Sequence, residues 1–168
     1  MLCARLVKGL IPSNLKYPNV PPSLVTEKRY EFLPHTADAY IAAYGETLEE
    51  AFENAALAMY EVMVDTSRVE PKVAREVEVR GFDLESLLYN WLEELLFYTD
   101  SERLVFSKFR VREIAREDGE YVLRAEVSGE GVDPEKHELR SEVKAITYSL
   151  MEIKKEGGKY VLKFVLDL

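Results

Sequence analysis

From Arg29 onward apolar residues recur at two spacings, three to four residues apart or every second residue, and the changes between them divide the chain into elements. Leu48, Phe52, Ala55, Met59 and Val62 keep the helical spacing, which predicts a helix with one apolar face running to about Asp65. Thr47 and Glu50 form a capping box at its start. A second stripe, Leu84, Leu87, Leu88, Trp91, Leu95 and Tyr98, follows Asp83, a residue suited to an N-cap. A stripe of leucines and aromatics is core before it is a cofactor box. The two-residue period appears in "VAREVEVRG" and in "AYIAAYG", and "RYEFLPH" reads as a short strand closed by Pro34. Further on, "RLVFSKFRVREIAR" and "EYVLRAEVSG" flank the turn "EDG", and "AITYSLMEIKK" and "KYVLKFVLDL" flank Gly157-Gly158, which predicts two hairpins. Between them "GVDPEKHELRSEVK" opens on Asp133-Pro134 and has room for one helical turn. The sum is an α+β domain: a mostly antiparallel sheet with two long amphipathic helices packed on one face.

Residues 29–168 make one domain of this kind, long enough to bury a single core. Residues 1–28 have a different texture. Four of the seven prolines (Pro12, Pro18, Pro21 and Pro22) fall there, which disfavours helix interiors and central strands and predicts a proline-rich tail. One reading places the translation start near Leu24 or Val25 through an alternative start codon. The opening residues are broken by Arg5 and Lys8 and lead to no small-residue cleavage site, so no secretory signal is read. No apolar run approaches the length of a membrane span.

Charge narrows the function. A net charge of −9 argues against direct, strong nucleic-acid binding, which rests on clustered Lys and Arg. The single cysteine, Cys3, can form neither an internal disulfide nor a thiolate metal cluster, and the composition fits a reducing cytoplasm. There is no glycine-rich phosphate loop, no Cys/His set at metal spacing, and no Ser-His-Asp arrangement.

Three constellations remain. "HTAD", His35 to Asp38, is a tight turn in which Asp38 has a ready structural role, accepting turn amides. His35, beside a proline and far from any nucleophile, reads first as a packed or hydrogen-bonded side chain. At the other end of the chain, Asp167 breaks an apolar strand one residue before Leu168. If the two ends are adjacent, Asp38, Asp167 and the main-chain carboxylate at Leu168 bring negatively charged oxygens together, and such a group repels itself unless a hard cation or several amides neutralise it. The plain reading is a solvated chain end. The third constellation is basic: Lys136, His137, Arg140 and Lys144, either a solvated face, a docking surface for an anionic group, or, through a lysine, a means of ordering the acidic cluster.

The segments "YEFLPHTADAYIAAYGETLEEAFENAALAMYEVM", "LLYNWLEELLFYTDSE", "EVKAITY" and "KYVLKFVLDL", in this order over about Arg29 to Leu168, resemble the archease family. The resemblance implies a small cytoplasmic accessory protein, not itself an enzyme, that activates an RtcB-type RNA ligase in tRNA splicing, promoting its guanylylation and repeated turnover. It also implies that Asp38, Asp167 and Leu168 hold a metal, with calcium the expected ion, although magnesium takes the same oxygen ligands. Lys144 matches a motif position and, with His35, is a candidate for contacting the partner or ordering the site. Two departures stand out. Ala39 and Tyr40 differ from the family's pattern after the aspartate and could alter the turn, and Ser149 stands where some members carry a histidine. A competing reading is a chaperone-like module for a tRNA methyltransferase or another RNA-modifying enzyme. A metal-dependent hydrolase is the least favoured, since no base or nucleophile can be placed beside the ion.

Overall fold

The computed structural model describes residues 27–35 and 37–168. The readings made for residues 1–26, including the start site and Cys3, lie outside the described residues, as does Thr36. The elements are β1 (Tyr30–Leu33), β2 (Ala39–Gly45), α1 (Leu48–Met63), a 3-10 turn (Thr66–Arg68), β3 (Val73–Gly81), α2 (Leu84–Glu102), β4 (Leu104–Glu117), β5 (Glu120–Gly131), β6 (Ala145–Glu156) and β7 (Lys159–Asp167).

The α+β class follows the pattern, and the strands divide between two antiparallel sheets. One has the order β1-β2-β7-β6 and the other β3-β5-β4. Both helices bridge them: α1 packs on β2 and β7 and also on β4, while α2 packs on β6 and also on β3 and β5. One core results, holding Ile41, Phe52, Trp91, Phe106, Leu123 and Phe164 together. This explains why α1 is buried beyond its predicted stripe. Ala51, Ala55, Ala56 and Ala58 have no exposed surface, and their small side chains let strands approach on more than one side of the helix. The two helices are also tied by polar groups. Trp91 Nε1–H donates to the Phe52 carbonyl at 3.0 Å, and the Tyr60 hydroxyl donates to the Leu95 carbonyl at 3.0 Å.

Each helix starts in the same way. A strand ends on glycine, Gly45 or Gly81, and two residues later an N-cap takes over, Thr47 or Asp83. A Cβ at Gly45 would lie 2.3 Å from the Ala51 nitrogen, and one at Gly81 would lie 2.4 Å from the Leu87 nitrogen, so the helix backbones rest directly on the strand ends. Asp83 and Ser86 exchange both bonds of a capping box. At Thr47 the box is modified: Thr47 accepts from the Glu50 amide at 3.1 Å, but the Glu50 carboxylate accepts from the amide of Glu46 at 3.2 Å. The two hairpins turn at Asp118-Gly119 (φ 52° and 81°) and Gly157-Gly158 (φ 57° and 80°), the paired positive φ values of two-residue loops that match strand twist. Among the described residues, no helix is long and apolar enough to cross a membrane.

Candidate functional site

Strand pairing decides whether the two acidic ends meet. β2 runs antiparallel to β7, with Ala39 opposite Leu166, Tyr40 opposite Val165 and Ile41 opposite Phe164. Asp38 and Asp167 each lie one residue beyond the Ala39–Leu166 pair, at the same end of β2 and β7. Alternation puts Ile41, Phe164 and Leu166 on the core face, and the aspartates share the other. Asp38 is half-buried and Asp167 exposed.

The turn before β2 is shaped at Ala37, whose φ of 67° lies in the left-handed region that costs a residue with a Cβ roughly 1–2 kcal/mol. Ala39 and Tyr40, where the sequence departs from the family's pattern, are strand residues, paired with Leu166 and Val165. His35 is exposed, and its ring meets Tyr40 edge-on with centroids 6.0 Å apart. Ser149 is exposed in an irregular stretch of β6 level with Phe164, about 10 Å along β7 from Asp167. An imidazole there would be remote from the aspartates.

On the far side of β7, β6 begins beside the same end. Ala145 pairs with Asp167, and the Lys144 amide donates to the Asp167 carbonyl at 2.8 Å. Lys144 thus anchors the end of β7 by its main chain, while its exposed side chain makes no ion pair among the described residues. No three His, Cys, Asp or Glu side chains converge in a metal-holding group among the described residues. A third ligand at the aspartate pair would have to come from main chain, water or a partner.

The basic constellation corrects the sequence reading. Lys136 binds Glu130 at 2.6 Å and also Glu70, Arg140 binds Glu61 at 2.9 Å and Glu138 at 3.2 Å, and His137 is buried against Glu130 at 2.8 Å. Lys136 and Arg140 are ion-paired within the chain and His137 is buried, so three of the four side chains are not a solvated basic face; they staple the segment before β6 to α1 and β5. The sequence reading missed Glu130 as the centre of this network. A signal was present, since Glu130 interrupts Gly129 and Gly131 at a strand end much as Asp167 interrupts an apolar one.

The model of the Archease protein family matches residues 30–168. A protein archease from Sulfurisphaera tokodaii is 52% identical over 141 residues, covering 84% of this chain and 99% of that relative. One from Pyrococcus abyssi is 53% identical over 142 residues, covering 84% of this chain and 99% of the relative. The solution structure of Methanobacterium thermoautotrophicum protein 1598 superposes with a TM-score of 0.74 at 51% identity, covering 83% of this chain and 99% of that one. A Thermotoga maritima crystal structure described as an archease and possible chaperone shares the fold at a TM-score of 0.52 and 21% identity, covering 82% of this chain and 96% of that one. With a family model spanning both aspartates and relatives half identical over nearly their whole length, this chain belongs to the archease family.

Proposed function

We propose that the chain is a cytoplasmic accessory protein that activates an RtcB-type RNA ligase in tRNA splicing, promoting guanylylation of the ligase and its repeated turnover without being the catalyst. The observation that supports this reading is the β2–β7 register, which brings the chain positions of Asp38, Asp167 and Leu168 to one end of the same strand pair. Two carboxylates at one end of a strand pair, with no cation among the described residues paired to either, suit a hard divalent ion. In this reading Asp38, Asp167 and the main-chain carboxylate of Leu168 hold Ca²⁺, Mg²⁺ being the other ion that such oxygens accept. Calcium takes about six to eight oxygens, so three protein ligands leave positions for water or a phosphate of the partner. When bound, the ion supplies positive charge for orienting a phosphate-bearing group. Lys144 holds the end of β7 in place, and His35 lies exposed next to the turn for partner contact. An acidic chain suits the basic surface of an RNA-handling enzyme better than RNA itself.

Guanylylation of the ligase, followed with the wild type, Asp38→Ala, Asp167→Ala and a chain extended by one residue beyond Leu168, tests this. All three variants are expected to lose activation and to bind calcium at least about tenfold more weakly while unfolding at nearly the wild-type temperature, since both aspartates lie off the core face. Wild-type activation by a folded Asp38→Ala overturns the reading. Activity that is independent of metal would favour the second one, a chaperone-like modulator of a tRNA methyltransferase, which has behind it the description of the Thermotoga maritima neighbour as a possible chaperone.

A further inference from the structure

β6 is an edge strand of its sheet, and its ladder to β7 breaks between Thr147 and Glu152, where four residues oppose Phe164 alone. Inside this bulge Leu150 adopts φ 55°, a conformation disfavoured for any side chain with a Cβ. The bulge leaves Tyr148 and Leu150 55% and 56% exposed. Tyr148 lies flat on Tyr89 of α2, with ring centroids 4.5 Å apart and planes 6° from parallel. Tyr89 in turn belongs to a row on the outer side of α2, in which Glu85, Tyr89, Glu93 and Phe97 follow one another at four-residue steps. Phe97 is 61% exposed. Aromatic surface left open in this way, with strain retained beside it, marks a surface held ready for contact.

The charges on the ridge say what kind of contact. α2 carries five acidic residues and no Lys or Arg, and among the described residues only Glu102 has an ion-pair partner, Arg75. The second sheet matches its carboxylates closely. Arg112 takes Glu76 and Glu126, and Arg124 takes Glu78, Glu113 and Glu117. On α2, by contrast, the unmatched Glu85 and Glu93 lie in the same row as the exposed aromatics. A nucleic acid or an anionic membrane would be repelled by them, and a second copy of the chain would bring the same acidic row against itself.

We propose that the ridge formed by Glu85, Tyr89, Glu93 and Phe97 with Tyr148 and Leu150 docks an arginine-bearing amphipathic helix of a protein partner. A guanidinium stacks on an aromatic face and at the same time binds a carboxylate with its edge. Arginines two helical turns apart match Glu85 and Glu93, which are eight residues, about 12 Å, apart along α2. The surface shares no residue with the Asp38–Asp167 pair and does not depend on a metal.

The test is calorimetric titration of the full chain with a synthetic 15-residue leucine-rich helical peptide carrying arginine at every fourth position, and with the same peptide carrying glutamine instead. The arginine peptide is expected to bind, with affinity reduced about tenfold by Tyr89→Ala and by Glu93→Gln and unchanged by Glu76→Gln on the second sheet. Tyr89 is partly packed against the core, so the exposed Glu93 keeps the test decisive if Tyr89→Ala perturbs the fold. Three results each overturn the proposal: glutamine and arginine peptides binding equally, Glu76→Gln weakening binding as much as Glu93→Gln, or sedimentation showing a dimer of the free chain that Tyr148→Ala splits.

Discussion

His137 has a side chain with no exposed surface, and both ring nitrogens are engaged. Nδ1 accepts from the Asp133 amide at 3.0 Å, so Nε2 carries the hydrogen and donates it to Glu130 at 2.8 Å. Glu130 also accepts from the Glu70 amide at 3.0 Å and from the ammonium groups of Lys136 and Lys72. The Lys136 ammonium, then the Glu70 amide and His137, hold its carboxyl well below the usual carboxylate range. A carboxyl depressed in the folded state stabilises fully above its unfolded value, about 4.3, and loses that contribution as pH falls toward the folded value. Glu130→Gln is therefore expected to lower the unfolding temperature by several degrees at pH 7, with the gap to wild type narrowing steadily below about pH 4. Thermal unfolding from pH 7 to pH 2.5 checks this, and a gap that stays constant would show that the shape of the side chain matters and its charge does not.

In the β4–β5 pair Gly129 has backbone where a side chain would be. A Cβ on Gly129 would lie 1.8 Å from the Val105 carbonyl oxygen and 2.7 Å from the Phe106 Cα, next to the register shift between Phe106 and Lys108. Both neighbours are backbone and cannot swing aside, so Gly129→Ala is expected to cost on the order of 3 kcal/mol in urea unfolding. Gly131→Ala, where a Cβ meets nothing within 4 Å, should stay within about 0.5 kcal/mol. The strands themselves were legible because their apolar period and turn glycines are local. What was not legible is pairing. One sheet was expected because nothing in "VAREVEVRG" says that it avoids β2 and joins β5, a choice made by how α1 and α2 fill the space between the sheets. The ion pairs of the basic run are illegible for the same reason, since Glu61, Glu70 and Glu130 lie far from it in sequence. The aspartates were identifiable as breaks in local pattern, and their adjacency waited on the β2–β7 register.

Asp38 and Asp167 lie 129 residues apart, nearly the full length of the domain, and converge only once β2 and β7 have paired. An ion that needs both binds the folded chain and not the unfolded one. Its affinity then adds to the stability of the whole molecule, by about 2.7 kcal/mol at a hundredfold excess over Kd. For a domain of this size each kcal/mol raises the unfolding temperature by roughly 2–4 °C, so calcium at that excess is expected to shift it by roughly 5–10 °C. Asp38→Ala, and a chain extended by one residue past Leu168, should each abolish the shift, and a chelator should reverse it in the wild type. Magnesium, which demands stricter octahedral geometry and gives up its water reluctantly, should give the smaller rise. A domain this acidic also gains from diffuse screening by any cation, and the variants separate the two effects: screening depends on total charge, which one aspartate barely alters, whereas coordination depends on where the carboxylates meet. An equal rise in wild type and Asp38→Ala would place the calcium on the general acidic surface and remove it from the junction of β2 and β7.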